Sequence, residues 1–416
     1  MRLLTGVVLF MVLARVWGVE TFGIFAYLST ATLLLALIVD YGYAQQLLRD
    51  IGYDPSNVSR IVSEAFATKV FLTAILVVLS ALLAPLLLAK HLDFSLFFVL
   101  LIAAIFNSFA EFFNVAFRGL GRFNRETSIV TATNSVHFVV IMLLAYLRQS
   151  PLVVAWGFML SRGFYLYLSW RTYRKEIGPF ERGGFDLKRI VHSLKTGFYF
   201  CADAALTNFY AQVDTLIVNS YLGPAGVGIY QAGLRLMLGA NTFTQVLSSV
   251  YLPVVSYNLN NKKEFNRLLS NMYLQMLMIG GLACAVFIVG AKFITSLVYG
   301  PKFAALAPIF PYFGLLLLFR YLAAVHGVTL TATGLQGTRV YSILLAVIAL
   351  AVSSFFLVPR FGLSGMLVSS ILAIVTLHTF YVMRLVLCKI PLGLNLRNSF
   401  ASAVVFTFVF VAFVSF

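Results

Sequence analysis

Polar side chains recur at helical spacing inside two strongly apolar stretches of this chain. Asp203, Thr207, Tyr210 and Asp214 follow one another at steps of four, three and four, which places them on one face of a helix. A second face follows downstream, made of Gln231, Arg235, Thr242, Gln245 and Ser249. Guanidinium groups on such a face can bind an anion through paired N–H donors, and carboxyl groups can exchange a proton.

Further charged groups lie in other apolar segments. Asn107, Glu111, Asn114 and Arg118 share a helical face, and other charged positions inside apolar segments include Arg15, Asp40, Lys69, Arg162 and Arg320. Arg49 follows the inner end of the second segment. A charge at the centre of a bilayer costs about 2.5–3.5 kcal/mol on the insertion scale, so each needs a partner or a function. Two interpretations stay open: these groups face a polar cavity, or they pair with each other, as Asp214 could with Arg235, and hold helices together.

Sequence signatures of catalysis are missing from the chain. It has no phosphate-binding G-x-x-x-x-G-K-[ST] loop, no H-E-x-x-H zinc motif and no nucleophile elbow. Cys201, Cys284 and Cys388 are far apart and predict neither a disulfide framework nor a metal site. We therefore expect a protein that is not an enzyme and that uses neither a metal nor a cofactor.

The elements that would position these residues are membrane-spanning helices. Of the 416 residues, 61% are hydrophobic and 11% are charged, and the mean hydropathy is +0.94. Soluble domains have about 25% charged residues, so a soluble helical protein with a very large core is a poor alternative. Thirteen apolar segments are predicted, at about 2–17, 21–46, 63–89, 94–117, 127–147, 151–170, 194–219, 226–256, 270–297, 304–330, 339–358, 362–386 and 398–416. The first is short, which is typical of a span that begins upstream.

The basic residues orient these segments. With the N-terminus in the cytoplasm, the inner connectors carry nineteen lysines and arginines and the outer connectors carry four. This asymmetry follows the positive-inside rule and predicts a multi-pass membrane protein with its N-terminus in the cytoplasm. The net charge of +16 is distributed over connectors and does not form one basic face, so nucleic acid is not an expected partner.

A weak internal repeat divides the chain into two halves. Residues 18–25 resemble residues 223–230, and each run follows the first helix of its half. We predict an N-terminal six-helix lobe over 1–173, a basic cytoplasmic linker over 174–193, a C-terminal six-helix lobe over 194–386 and an extra helix over 387–416. Two parallel repeats around a central cavity favour transport by alternating access.

Several motifs resemble one known family. Residues 208–218, Gly223, 226–230 and 235–236 are similar to the polysaccharide flippases of the multidrug/oligosaccharidyl-lipid/polysaccharide exporter superfamily. Residues 14–18, 22–25, 40–42 and 117–123 resemble other parts of the same proteins. The resemblance implies an all-helical bundle of twelve to fourteen helices, in two six-helix lobes around a cationic cavity. It also implies an undecaprenyl-diphosphate-linked oligosaccharide as the substrate and the bacterial inner membrane as the location.

The resemblance and the polar faces predict the same function, which is flipping a lipid-linked oligosaccharide from the inner to the outer leaflet. Arg15, Asp40, Arg49 and Arg235 match positions where related flippases carry charged cavity residues. We predict Arg15, Arg49, Arg235, Gln231 and Gln245 for substrate binding, and Asp40, Asp214, Asp203 and Glu111 for ion coupling or the cavity wall.

Expected partners are the membrane lipids, a coupling proton or sodium ion, and the polysaccharide polymerase and chain-length proteins. The alternatives are an exporter of drugs or organic cations from the same superfamily and a lipid-linked oligosaccharide polymerase or ligase. Deep arginines argue against the first, and short outer loops argue against the second. A membrane scaffold would not need so many polar faces.

Overall fold

The chain is all-helical in its computed structural model, which describes residues 2–87, 93–180 and 187–414 and contains no strand among them. The predicted all-α fold class is confirmed. The helices are α1 Arg2–Trp17, α2 Val19–Asp40, α3 Tyr43–Tyr53, α4 Val58–Leu87, α5 Phe94–Gly119, α6 Phe123–Tyr146, α7 Pro151–Glu176, α8 Leu187–Tyr257, α9 Lys262–Val289, α10 Ala291–Val298, α11 Phe310–Ala332, α12 Gln336–Leu387 and α13 Leu396–Val414. Two 3₁₀ turns, Pro55–Asn57 and Pro301–Ile309, complete the order.

The two longest helices are each interrupted by a glycine. Gly223 in α8 has φ 66° and Gly362 in α12 has φ 58°, conformations that a residue without Cβ adopts at low cost. Divided at these points, the helices overlap all thirteen predicted segments. Within the described residues, eight helices are long and apolar enough to cross a membrane, and parts of α1 and α13 are shorter apolar helices.

Two predicted segments are broken where the sequence analysis expected continuous helices. Segment 21–46 ends at Asp40, and α3 begins at Tyr43 after a turn in which Tyr41 has φ 42° and Gly42 has φ 69°. A Cβ on Gly42 would lie 2.4 Å from the carbonyl carbon of Phe200, so no larger residue fits there. Segment 270–297 is likewise divided at Gly290, between α9 and α10.

The contacts divide the chain into two compact units, residues 1–16 with 24–212 and residues 17–23 with 213–416. In the first unit, α5 packs along α7 and α3 packs against α5, around a core that includes Tyr43, Leu47, Phe113 and Tyr173. The predicted lobe boundaries stay a prediction. Residues 181–186 of the predicted linker lie outside the described residues.

In the second unit, α11 packs against α9 and α12, and α13 packs against α9. The start of α2, from Val19 to Gly23, belongs to this unit and meets α8 just after its break. A Cβ on Gly23 would lie 1.8 Å from the carbonyl oxygen of Pro224, and one on Gly228 would lie 2.0 Å from that of Val19. The two copies of the repeat therefore contact each other reciprocally, through equivalent glycines.

Candidate functional site: two clusters of charged side chains

The first cluster lies in the first unit, where Lys69 of α4 meets Asp40 at the end of α2. The Lys69 Nζ atom is 3.1 Å from Asp40 Oδ1, 3.2 Å from the Val39 carbonyl oxygen and 2.6 Å from Ser108 Oγ. The Ser108 hydroxyl also donates to Asp40. The three donors of the ammonium group thus meet three acceptors, which is the condition under which a buried lysine is tolerated.

The two charges of this cluster differ in their access to solvent. The Lys69 side chain is 1% exposed, whereas the Asp40 side chain is 45% exposed. The Nζ atom also lies 5.2 Å from the ring centre of Phe109 and 5.7 Å from that of Phe112, within the range of a cation–π interaction. Asp40 is therefore a carboxylate that can reach a ligand while it neutralises a buried cation.

The second cluster lies where the two parts of α8 pass each other in the second unit. Asp214 is 6% exposed and accepts hydrogen bonds from the Tyr230 hydroxyl at 2.6 Å and the Thr215 backbone N–H at 2.7 Å. Gln231 is fully buried and donates from Nε2 to Thr215 Oγ1 at 2.7 Å. Arg320 of α11 adds a favourable electrostatic interaction with Asp214. These side chains form one polar network inside the unit.

Arg235 follows one turn after Gln231 on the same helix and is half-buried. It lies near Tyr299, whose hydroxyl donates to the Ala232 carbonyl oxygen at 2.8 Å. Gln245, farther along α8, is exposed. The three predicted substrate-binding residues of this helix therefore occupy different environments, and their role in binding stays a prediction.

The other predicted residues are distributed along the helices of the first unit. Arg15 is exposed on α1, and Asp203 is exposed on the first part of α8. Arg49 of α3 bonds to Asp50, with Nε 2.8 Å from Oδ1, and its guanidinium carbon lies 4.8 Å from the centre of the Phe200 ring.

Glu111 lies on α5 and accepts a hydrogen bond from the Tyr165 hydroxyl of α7 at 2.6 Å. The Asn114 amide also donates to that hydroxyl, at 2.9 Å, and to Ser169 Oγ at 3.0 Å. Glu111 is therefore part of the polar contact between α5 and α7. No group of three or more histidine, cysteine or acidic side chains in the described residues could hold a metal ion.

Sequence reasoning did not select Lys69, Tyr230 or Arg320 for either cluster. Lys69 and Arg320 were visible as isolated charges in apolar segments, but their partners come from distant helices. Tyr230 follows the break at Gly223 by about as many residues as Asp214 precedes it, so an antiparallel turn at that glycine brings the two together. Two polar residues at about equal distances on either side of a helix-breaking glycine were the sequence pattern from which this pair could have been predicted.

The family follows from the sequence of helices α1 to α8. Residues 2–259, which include all nine predicted site residues, match the family described as polysaccharide biosynthesis protein. The chain belongs to this family. The resemblance to the polysaccharide exporters of the multidrug/oligosaccharidyl-lipid/polysaccharide superfamily is confirmed.

Individual relatives are more distant. A putative O-antigen transporter from Shigella dysenteriae is 26% identical over 247 residues, which are 58% of this chain and 61% of the relative. The chain thus matches less than two thirds of that protein's length.

Solved structures show the same fold at low identity. A lipid II flippase MurJ in an inward closed conformation has a TM-score of 0.81 at 14% identity, covering 100% of this chain and 91% of the other. An inward-facing multidrug resistance MATE family transporter of the MOP superfamily has a TM-score of 0.71 at 14% identity, and the match covers 94% of this chain and 96% of the other. The fold of this chain is therefore that of a multi-pass membrane transporter.

Proposed function

We propose that the chain flips an undecaprenyl-diphosphate-linked oligosaccharide from the inner to the outer leaflet of a bacterial inner membrane, by alternating access. The observation that carries the proposal is the family match over residues 2–259. The name of the Shigella relative, a putative O-antigen transporter, supports a surface polysaccharide as the end product. The transport is carried out without a chemical change in the substrate.

Arginines support a diphosphate substrate. A diphosphate must be shielded from hydrocarbon, and guanidinium groups bind phosphate oxygens through two parallel, charge-assisted hydrogen bonds. Arg235 is the residue that we assign to this contact, because it is half-buried beside a polar network. We assign Arg15 and Arg49 to contacts with the same substrate at other stages of its transport. We assign Gln231 and Gln245 to hydrogen bonds with the polar groups of the substrate.

An exporter of organic cations is the second candidate. The likeness of the fold to a multidrug resistance transporter is compatible with it. A site for organic cations would need carboxylates without a fixed cation beside them, whereas Asp40 is paired with Lys69 and Asp214 interacts with Arg320. The charge balance of both clusters therefore argues against an organic cation as the substrate.

Arg235 is the residue whose substitution tests the proposal. In a host that depends on this gene for surface polysaccharide, Arg235→Ala should abolish the polysaccharide while the protein stays in the membrane. Arg235→Lys should be partly active, because lysine keeps the charge and loses the paired hydrogen bonds. The exposed Arg360→Ala is the matched control and should behave as wild type.

Normal polysaccharide from a normally expressed Arg235→Ala protein would remove Arg235 from the substrate site. Drug sensitivity in the same strains separates the two candidate functions. Loss of drug resistance with intact polysaccharide would favour the exporter of organic cations.

We assign ion coupling, to protons or to sodium, to the clusters around Asp40 and Asp214, with Asp203 and Glu111 as further members of the cavity wall. Asp40 bonds to Lys69 of α4, and Asp214 bonds to Tyr230 in the second part of α8, so a change in their charge would alter the packing of these helical segments. Asp214→Asn and the double variant Asp40→Asn/Lys69→Met should each weaken transport driven by an ion gradient, measured in proteoliposomes. If neither variant changes its dependence on the gradient, these carboxylates do not couple transport.

A further inference from the structure

A cleft of about 840 Å³ lies in the second unit, where α9 and α13 begin. Lys263 and Arg267 line it from α9, and Arg397 lines it from α13. All three side chains are exposed. None of the residues described as lining the cleft carries a carboxylate, and the neighbouring Glu264 bonds to Arg267, with Oε1 2.8 Å from Nη2. The cleft therefore has an excess of positive charge.

The wall opposite α9 is a loop held in one conformation. Gly393 has φ 73°, and a Cβ there would lie 2.7 Å from the Leu269 carbonyl oxygen, so the loop approaches α9 as closely as a glycine allows. The buried Asn398 donates from Nδ2 to the Gly393 carbonyl oxygen at 2.6 Å and to that of Ser270 at 3.0 Å. Asn395 donates to Ser270 Oγ at 2.7 Å. These bonds fix the shape of the cleft.

Backbone dipoles add to the positive potential of the cleft. Both α9 and α13 begin at it, and the first N–H groups of a helix have no acceptor within the helix. One N–H group at each start is capped by a side chain, the Glu264 N–H by Asn261 Oδ1 at 3.2 Å and the Asn398 N–H by Asn395 Oδ1 at 2.9 Å. Helix N-termini carry a partial positive charge and favour anions. Arg397 is held in place by a hydrogen bond from Nη2 to Asn271 Oδ1 at 3.1 Å. Arg397, two further basic side chains and two helix N-termini together suit a phosphate-sized anion.

An apolar surface continues from this cleft along α13. Phe400, Val404, Phe408 and Val411 are exposed and follow at steps of four, four and three, which is one helical face. In a membrane this face contacts acyl chains. A ligand that joins a phosphate to acyl chains would therefore place its headgroup in the cleft and its acyl chains along α13. Free phosphate would occupy only the cleft.

We propose that this cleft binds the phosphate group of an anionic membrane phospholipid. The positive-inside rule predicts that the cleft opens toward the cytoplasmic leaflet, where basic pockets between membrane helices bind such headgroups. The bound lipid would anchor α13 to α9 through Arg397 and the loop before it. This inference does not depend on which substrate the protein transports.

The test is native mass spectrometry of the purified full chain with added lipids. The wild type should bind one phosphatidylglycerol about tenfold more tightly than phosphatidylcholine with the same chains. Lys263→Gln/Arg267→Gln/Arg397→Gln should lose this preference. Arg60→Gln/Lys175→Gln/Lys195→Gln removes the same charge from exposed positions outside the cleft and should keep it.

Equal lipid preference in both triple variants would overturn the proposal. Two competition experiments distinguish a phospholipid from other ligands that carry phosphate. Displacement of phosphatidylglycerol by millimolar inorganic phosphate, or by a polyprenyl diphosphate at lower concentration than the phospholipid, would assign the cleft to those ligands instead. If the triple cleft variant does not fold, the single substitutions decide: Arg397→Lys should keep the preference and Arg397→Gln should reduce it, and equal binding by these two would contradict the proposal.

Discussion

The ammonium group of Lys69 and the carboxylate of Asp40 form a pair whose members differ in burial, and this difference predicts unequal effects of their removal. Asp40→Asn leaves a charge on a side chain that is 1% exposed, which should cost about 3 kcal/mol. Lys69→Met leaves a carboxylate that is 45% exposed and that water can solvate, so the cost should be about 1 kcal/mol. Thermal unfolding of the purified protein in detergent measures both.

The double variant Asp40→Asn/Lys69→Met completes the cycle. It removes both charges, so its unfolding temperature should lie above that of Asp40→Asn alone. If Asp40→Asn unfolds at the wild-type temperature, Lys69 does not depend on Asp40 for its burial.

At the residue scale, the sequence indicated which side chains needed an explanation but not which side chains they meet. Asp214 was selected from its helical spacing, and its contact with Thr215 is local. Its contacts with Tyr230 and Arg320 depend on where other helices pass, which the spacing along one helix does not contain. The same limit applies to Lys69, whose acceptors come from α2 and α5.

At the scale of elements, the contact between the two repeat copies predicts that both glycines are required. Alanine at Gly23 or Gly228 would place a Cβ 1.8 Å or 2.0 Å from a backbone oxygen, and a helix backbone cannot yield as a side chain can. Each substitution should therefore destabilise the protein by about 1–3 kcal/mol or more. The measurement is the fraction of monodisperse protein in size-exclusion chromatography after heating.

Gly52→Ala is the matched control for both substitutions. Gly52 lies in α3, and apart from its chain neighbours and the backbone of its own helix no atom lies within 4 Å of the position that its Cβ would occupy. Alanine favours the helix by about 1 kcal/mol, so this variant should be at least as stable as the wild type. Wild-type stability in Gly228→Ala would show that the crossing at Val19 is looser than the structure describes.

The helices themselves were predictable because their apolar length is set by the bilayer. The positions at which the helices break were harder to predict. The division at Gly223 coincided with a repeat motif and a proline, and it was found. The turn at Tyr41–Gly42 carries no proline, and the close approach of Phe200, which requires the glycine, comes from another helix. Segment 21–46 was therefore predicted as continuous.

At the scale of the whole molecule, composition and the distribution of charge carry most of the information. Apolar segments predicted an all-helical membrane protein, and the family match and the solved relatives confirm that class. The sugar and the coupling ion depend on a few side chains in a cavity, and many sets of polar residues can line one. These features could not be read from composition.

The orientation of the chain is a prediction for the whole molecule, because nineteen basic residues in the connectors of one side against four on the other should keep the richer side in the cytoplasm. With Cys201, Cys284 and Cys388 replaced, single cysteines are placed at the exposed positions Ser56, Asn261 and Pro301. A membrane-impermeant maleimide should label Pro301→Cys in intact spheroplasts. It should label Ser56→Cys and Asn261→Cys only after the membrane is opened. Labelling of Asn261→Cys from outside would reverse the orientation and, with it, the leaflet assigned to the basic cleft.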